Sequence, residues 1–481
     1  MNYFLSLFVN GICCLIRRVV SIMRVTRVTG VALVVFVKRI TLVSLVTLVI
    51  PITLITPTAA RAELSIQITQ GIDNPIPIAI VPFGWEGSGV LSGNVTQVAQ
   101  IVIDDLEQVG EFRALSRNNM LSLPNEGNEI VYRDWRVLAQ DYLLVGQINQ
   151  AQGSQLVSVQ YELFDINREL RLAGEELTGS VTQLRDIGHA ISNVVYEQIT
   201  GIPGAFRTEI LYVVAEYPSA NETRFRLEKA DYDGQRARVL LESREPIMSP
   251  SWSPDGTQVA YVSFETDLPR IYIQQIATGE RRQITNYPNI NSSPVWSPDG
   301  NMLAMVLSKD GSPDIYVQDL RANQLQRITD HPAIDTEPSW SIDGRSIVFM
   351  SDRTGQPQIY QIELGGSAFD VERLTYDCFQ CAKAKFLPDG VNLVHVRRET
   401  RRDPQYQIAI LNVETLRVIT LTDTSLDESP SVAPNGSMIM YATKFNGRGV
   451  LDAVSIDGQV KFRLPSTQGD VREPSWSPFL N

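Results

Sequence analysis

From Phe206 to Asn481, apolar side chains arrive in short runs, each launched from a turn. The runs are Gln258–Phe264, Met302–Ser308, Ser346–Ser351, Asn392–Arg397 and Ser437–Thr443. Apolar residues at consecutive positions suit a strand covered on both faces. The turn before each run repeats: Ser-Trp-Ser-Pro-Asp-Gly at Ser251–Gly256, then Val295–Gly300, Ser339–Gly344, Lys385–Gly390 and Ser431–Gly436, with a truncated Ser-Trp-Ser-Pro at Ser475–Pro478. Trp252, Trp296, Trp340, Phe386, Val432 and Trp476 mark equivalent positions, at steps of 44, 44, 46, 46 and 44 residues. A third strand follows each run (Arg270–Ile276 in the first unit) and then a polar outer strand (Arg281–Thr285). A period in the forties with four strands per unit predicts a β-propeller.

The ends of this region are incomplete in complementary ways. Glu209–Glu216, Arg224–Ala230 and Ala237–Glu242 read as strands two to four of a unit with no first strand, and Glu473–Ser477 as a first strand with nothing after it. Joined, they make a sixth blade and shut the ring without an open edge. The fold class expected is therefore mixed: an N-terminal α/β domain over 63–205, then a six-bladed β-propeller over 206–481 closed by a C-terminal strand.

The repeat is absent before Ala205. Ile76–Phe83 reads as a buried strand, and Gly93–Val109 as a helix with Val95, Val98, Val102, Leu106 and Val109 on one face. A strand at Phe112–Leu115, a short helix at Asp134–Gln140 and strands at Tyr142–Ile148, Leu156–Asp165 and Glu169–Leu177 come next. Thr182–Ile199 is an amphipathic helix stopped by Gly201-Ile202-Pro203-Gly204. The glycines of Gly84–Gly93 lack phosphate-loop spacing and read as a flexible surface loop. His189, beside apolar positions, reads as a structural histidine.

Residues 1–62 contain no Asp or Glu and seven Lys or Arg. Lys38-Arg39, the apolar Ile40–Ile55 and the Ala60-Arg61-Ala62 site predict a secretory signal peptide cleaved after Ala62. Met23 is a second candidate start, which would make the residues before it a mis-assigned extension. An uncleaved anchor over Val31–Ile55 is the alternative, at the cost of charge in mid-span. Without the leader, 54 acids face 35 bases, a net charge of −19 that disfavours nucleic acid and anionic lipid as partners. Cys378 and Cys381, spaced as Cys-Phe-Gln-Cys before a repeat strand, read as a local disulfide rather than a redox or zinc site.

Catalysis finds little support. No Gly-x-Ser-x-Gly elbow occurs, and only His331 and His395 are available to a propeller metal site. No cofactor or metal is expected, and the runner-up function is an accessory domain or enzyme acting on periplasmic peptides or oligosaccharides. Acids on the loops entering the first strands, Asp335, Glu337, Asp427, Glu428 and Glu473, can attract a basic partner or a cation.

The chain resembles the TolB family, periplasmic propeller proteins of the bacterial Tol-Pal envelope system. The resemblance rests on Ile78–Phe83, Thr200–Thr208, Asp231–Gly234, Met248–Gly256, Leu426–Gly436 and the terminal Pro-Ser-Trp-Ser-Pro-Phe-Leu. It implies a monomeric, non-enzymatic scaffold that binds the lipoprotein Pal through the propeller and TolA through its mature N-terminus. Such a scaffold couples the two membranes and supports outer-membrane integrity and constriction at cell division. By that resemblance the TolA segment falls on Glu63–Gly71, beginning Glu63, Leu64, Ser65, Ile66, Gln67 and Ile68. The Pal-facing rim falls on Asn291, Ser292 and Ser293, on Asp335, Thr336 and Glu337, and on Asp427, Glu428 and Ser429. A family histidine before Pro294 has no counterpart, since Asn289, Ile290 and Asn291 stand there.

Overall fold

The computed structural model describes residues 74–480, apart from 88–96, 152–153, 220–221, 366–369, 425 and 466–468. The expected signal peptide over residues 1–62 and the expected TolA segment beginning Glu63–Ile68 lie outside the described residues. Among those described, no helix is long and apolar enough to cross a membrane.

The first domain is a sheet of β1 (Ile76–Ile80), β2 (Gly84–Gly87), β3 (Phe112–Ala114), β4 (Tyr142–Gln150), β5 (Leu156–Asp165) and β6 (Leu170–Ser180). Its order is β3-β1-β4-β5-β6, with β2 extending β4. Period-two alternation gives the sheet two apolar faces. Ile78, Ile80, Leu144 and Ile148 meet helices α1 (Gln97–Gln108) and α3 (Leu184–Thr200), while Ala79, Val81, Leu143 and Val145 meet Trp135 of α2 (Tyr132–Val137). Gly84–Gly87 corrects the loop expectation, because it pairs in parallel with Gln147–Gln150. Gly201, at φ 77°, caps α3 in the left-handed conformation and ends the domain.

The second domain is six four-stranded antiparallel sheets. Their inner strands are Ile247–Trp252, Asn291–Trp296, Asp335–Trp340, Gln380–Phe386, Glu428–Val432 and Asp470–Trp476, for blades one to six. Blade six joins Asp470–Trp476 to Glu209–Ser219, Glu222–Asp231 and Arg238–Ser243, so both ends of the propeller close the ring as expected. The Pro-Asp-Gly turn works as its sequence suggests. Gly256 takes φ 70°, and the Asp255 carboxylate accepts the Thr257 N–H at 3.0 Å. Two of the four indoles at the repeat position bridge blades: Trp252 Nε1 donates to Ser475 O at 3.0 Å and Trp340 Nε1 to Val295 O at 3.1 Å.

The two domains share one apolar core, running from α1 and α3 through Phe206, Tyr232, Met440, Phe462 and Trp476. Gly110, at φ 71° after α1, lies against blade five so closely that a Cβ would sit 2.0 Å from Val460 Cγ2. Polar groups set the register of this joint. Asp105 on α1 is 2% exposed and accepts from His189 Nδ1 at 2.8 Å, Ser192 Oγ at 2.6 Å and, across the joint, Tyr232 Oη at 2.7 Å. Arg185 on α3 pairs with Asp231 and Asp233 of the Asp-Tyr-Asp-Gly turn, and Arg236 pairs with Asp231 and Asp186.

Candidate functional site: a strained girdle in the propeller channel

Each inner strand is the edge strand of its blade, and each breaks register once. Pairing slips between Met248 and Ser251, and between Ser292 and Val295, Thr336 and Ser339, Ala382 and Lys385, Glu428 and Ser431, and Arg472 and Ser475. Five of the six bulges contain a proline, which has no N–H for the ladder and belongs on an edge strand or bulge. Blade four keeps the bulge with Ala384 in that place. The residue before is forced to positive φ in all six: Ser249 (51°), Ser293 (50°), Glu337 (56°), Lys383 (53°), Ser429 (55°) and Glu473 (51°). A non-glycine residue held there costs about 1 kcal/mol or more, and such strain gathers at functional sites.

The six residues form a girdle around the channel; their side chains are half-buried, and hydrogen bonds join five of the six residues across blades. The Glu473 carboxylate accepts the Ser249 N–H, Glu337 Oε2 accepts the Lys383 N–H at 2.9 Å, and Lys383 Nζ donates to Ser429 Oγ at 2.7 Å. Burial raises the pKa of Glu337 and Glu473 above the usual carboxylate range against the pull of Lys383. Lys383 is raised too: burial acts to lower it, but Glu337, Glu428 and Glu473 outweigh burial. Among the described residues no group of three or more His, Cys, Asp or Glu could hold a metal ion.

The nine rim residues named from sequence divide into two sets. Ser293, Glu337 and Ser429 are girdle members, and Ser292, Thr336 and Glu428 are their half-buried neighbours. Asn291, Asp335 and Asp427 instead are 0% exposed and turn into the blades, so they hold loops and present no charge to a partner. Asn291 Nδ2 donates to Tyr287 O at 2.9 Å, Arg353 Nη2 spans both Asp335 oxygens at 2.9 and 3.1 Å, and Thr424 donates to Asp427. Burial raises the pKa of Asp335 and Asp427. Blade four fills the equivalent place with Cys381, joined to Cys378 by a disulfide.

Sequence reasoning passed over Ser249, Lys383 and Lys385. Counting three residues back from each of the six repeat markers finds the whole girdle, including Lys383 before Phe386 and Ser429 before Val432. The histidines sit away from it. His331 Nδ1 accepts the Ala333 N–H at 3.0 Å, and His395 is 1% exposed inside blade four, where burial and then Arg397 hold its pKa down at about 4.

Comparison with known proteins matches both domains. A family model described as the TolB amino-terminal domain matches residues 64–172, and one described as the TolB beta propeller domain matches residues 196–480. The Tol-Pal system protein TolB of Pseudomonas fluorescens is 53% identical over 423 residues, covering 88% of this chain and 96% of its own. That of Pseudomonas aeruginosa is 53% identical over 425 residues, with the same coverage. The crystal structure of TolB from Acinetobacter baumannii superposes with a TM-score of 0.79 at 38% identity, over 87% of this chain and 100% of its own. By sequence and by architecture, the chain belongs to the TolB family of Tol-Pal system proteins.

Proposed function

We propose that the protein is a non-catalytic periplasmic scaffold that links Pal at the outer membrane with TolA of the inner membrane, supporting envelope integrity and outer-membrane constriction during division. The Tol-Pal membership of its relatives supports the system. The girdle supports the propeller channel as the Pal-binding mouth, because strain repeated at six positions lines it with fixed charged and hydroxyl groups. In this reading Ser292, Ser293, Thr336, Glu337, Glu428 and Ser429 meet Pal, while Asn291, Asp335 and Asp427 hold their loops in place. The mature chain begins at Glu63 and is monomeric, and Glu63–Ile68 engage TolA.

Two variants test the two ends separately. Glu337→Lys combined with Glu428→Lys is expected to weaken binding of the Pal periplasmic domain by about 2 kcal/mol, roughly 30-fold, in calorimetry, with the melting curve retained. Unchanged affinity would move the interface elsewhere. Deleting Glu63–Gly71 is expected to abolish capture of the TolA C-terminal domain and leave Pal binding intact. Retention of TolA by the shortened chain would refute the N-terminal assignment.

A further inference from the structure

Blade four departs from the chemistry the other blades repeat. Two residues beyond each girdle position the other five carry Ser251, Val295, Ser339, Ser431 and Ser475, all neutral. Blade four carries Lys385 there and Lys383 at the girdle itself, so it alone brings positive charge to the inner strands at these positions, and brings it twice.

The two lysines are not equivalent. Lys383 is satisfied within the fold: its Nζ donates to Ser429 Oγ and its surroundings hold Glu337, Glu428 and Glu473. Lys385 is half-buried, and among the described residues no hydrogen bond or ion pair reaches its Nζ. Glu473, the acid that faces it from blade six, already accepts the Ser249 N–H. Burial first, and the neighbouring Lys383 second, push the Lys385 ammonium down to about 8, with Glu473 opposing. A half-buried ammonium that no ion pair or hydrogen bond reaches costs stability and supports nothing local. Its charge is left to be matched from outside.

We infer that Lys385 is the receptor for a single carboxylate, an Asp or Glu side chain of the protein segment that docks in the channel. The inference rests on the docking reading above. A compact ammonium suits a monoanion, and Glu337, Glu428 and Glu473 on the surrounding blades would repel a doubly charged group such as phosphate. Placing a carboxylate beside Lys385 favours its charged form, so docking takes up protons around pH 8 and weakens as the pH rises toward 9. The charged groups facing the pair are Lys383 on the same strand, Glu337 and Glu428 on the flanking blades and Glu473 on blade six.

Calorimetry with the Pal periplasmic domain at pH 7 and pH 9 tests this with Lys385→Gln and Lys385→Arg in the full mature chain. Wild type is expected to lose about tenfold in affinity across that range, the equivalent of one pKa unit. Lys385→Gln should bind about tenfold more weakly at pH 7 and show a flat profile. Lys385→Arg, charged throughout, should keep its affinity and also be flat. Urea unfolding of Lys385→Gln should be no easier than that of wild type, because the variant removes an unpaired charge. If wild type binds and Glu337→Lys combined with Glu428→Lys weakens binding as expected above, yet Lys385→Gln matches wild type at both pH values, the carboxylate receptor is wrong and the docking reading stands. If wild type takes up no Pal, both fall.

Discussion

A chain ending at Gly469 is expected to lose the cooperative unfolding transition of the intact protein. The missing strand, Asp470–Trp476, pairs along Glu209–Ser219, from Asp470 opposite Ala215 to Trp476 opposite Ile210. Ser477 extends the contact by donating to Glu209 O at 2.8 Å and accepting the Glu209 N–H at 3.0 Å. Neighbouring blades depend on the same strand. Trp252 donates to Ser475 O, and the Trp476 N–H donates to Ser431 Oγ at 2.8 Å. Trp476 also belongs to the core shared with the first domain, and its indole donates to Thr208 Oγ1 at 2.8 Å. Removal would bare the edge from Glu209 to Ala215, mostly buried in the closed ring and a template for aggregation. The milder Trp476→Ala is expected to cost about 3–5 kcal/mol in urea unfolding followed by far-UV circular dichroism. Trp476→Phe should recover most of that and lose only the indole hydrogen bond, about 1 kcal/mol. A truncated chain that melts as sharply and as high as the intact protein would show that the ring does not rely on its latch.

The latch was legible in the sequence because three strands at one end of a strict repeat and one strand at the other have one geometric completion. The propeller's strands were legible for a related reason: Pro-Asp-Gly fixes a turn locally, and the apolar run behind it can only be a strand between neighbours. What was not legible depended on partners distant in sequence. Gly-Trp-Glu-Gly at Gly84–Gly87 has no alternation, and only pairing with Gln147–Gln150 makes it a strand. Asp335 and Asp427 looked like rim charges because an acid in a loop is ordinarily solvated. The fold instead buries both, bringing Arg353 onto Asp335. Lys383 escaped notice since Ala384 replaces the proline that marks the other bulges, and only the shared register of the six blades restores it to the girdle. His189 was readable as structural, but not the Asp105 that holds it, 84 residues earlier in the chain.

Replacing Asp105 is expected to loosen the joint between the domains and to change how stability depends on pH. Three donors from two elements converge on this one carboxylate: His189 and Ser192 from α3, and Tyr232 from the propeller. Asp105→Ala would leave His189 Nδ1 buried without a partner and Ser192 and Tyr232 with only Gly188 O and Gln108 Oε1, a loss of about 3–5 kcal/mol. Tyr232 cannot answer by ionising, because burial holds its hydroxyl well above its usual pKa of 10.0. His189 supplies the pH signature. Burial acts to lower its pKa, but the charge and hydrogen bond of Asp105 prevail, and the pKa stands above the ordinary 6.5. A histidine raised on folding binds its proton more tightly in the native state. Its contribution is therefore complete below pH 6.5 and is lost as the pH rises through the folded-state value. In urea unfolding at pH 6 and pH 8, the stability gap between wild type and Asp105→Asn should accordingly be wider at pH 6. The asparagine variant keeps an oxygen for Tyr232 but cannot hold an imidazolium by charge. A gap that is equal at both pH values would mean that His189 stays neutral in the joint, and that the carboxylate serves there only as an acceptor of hydrogen bonds.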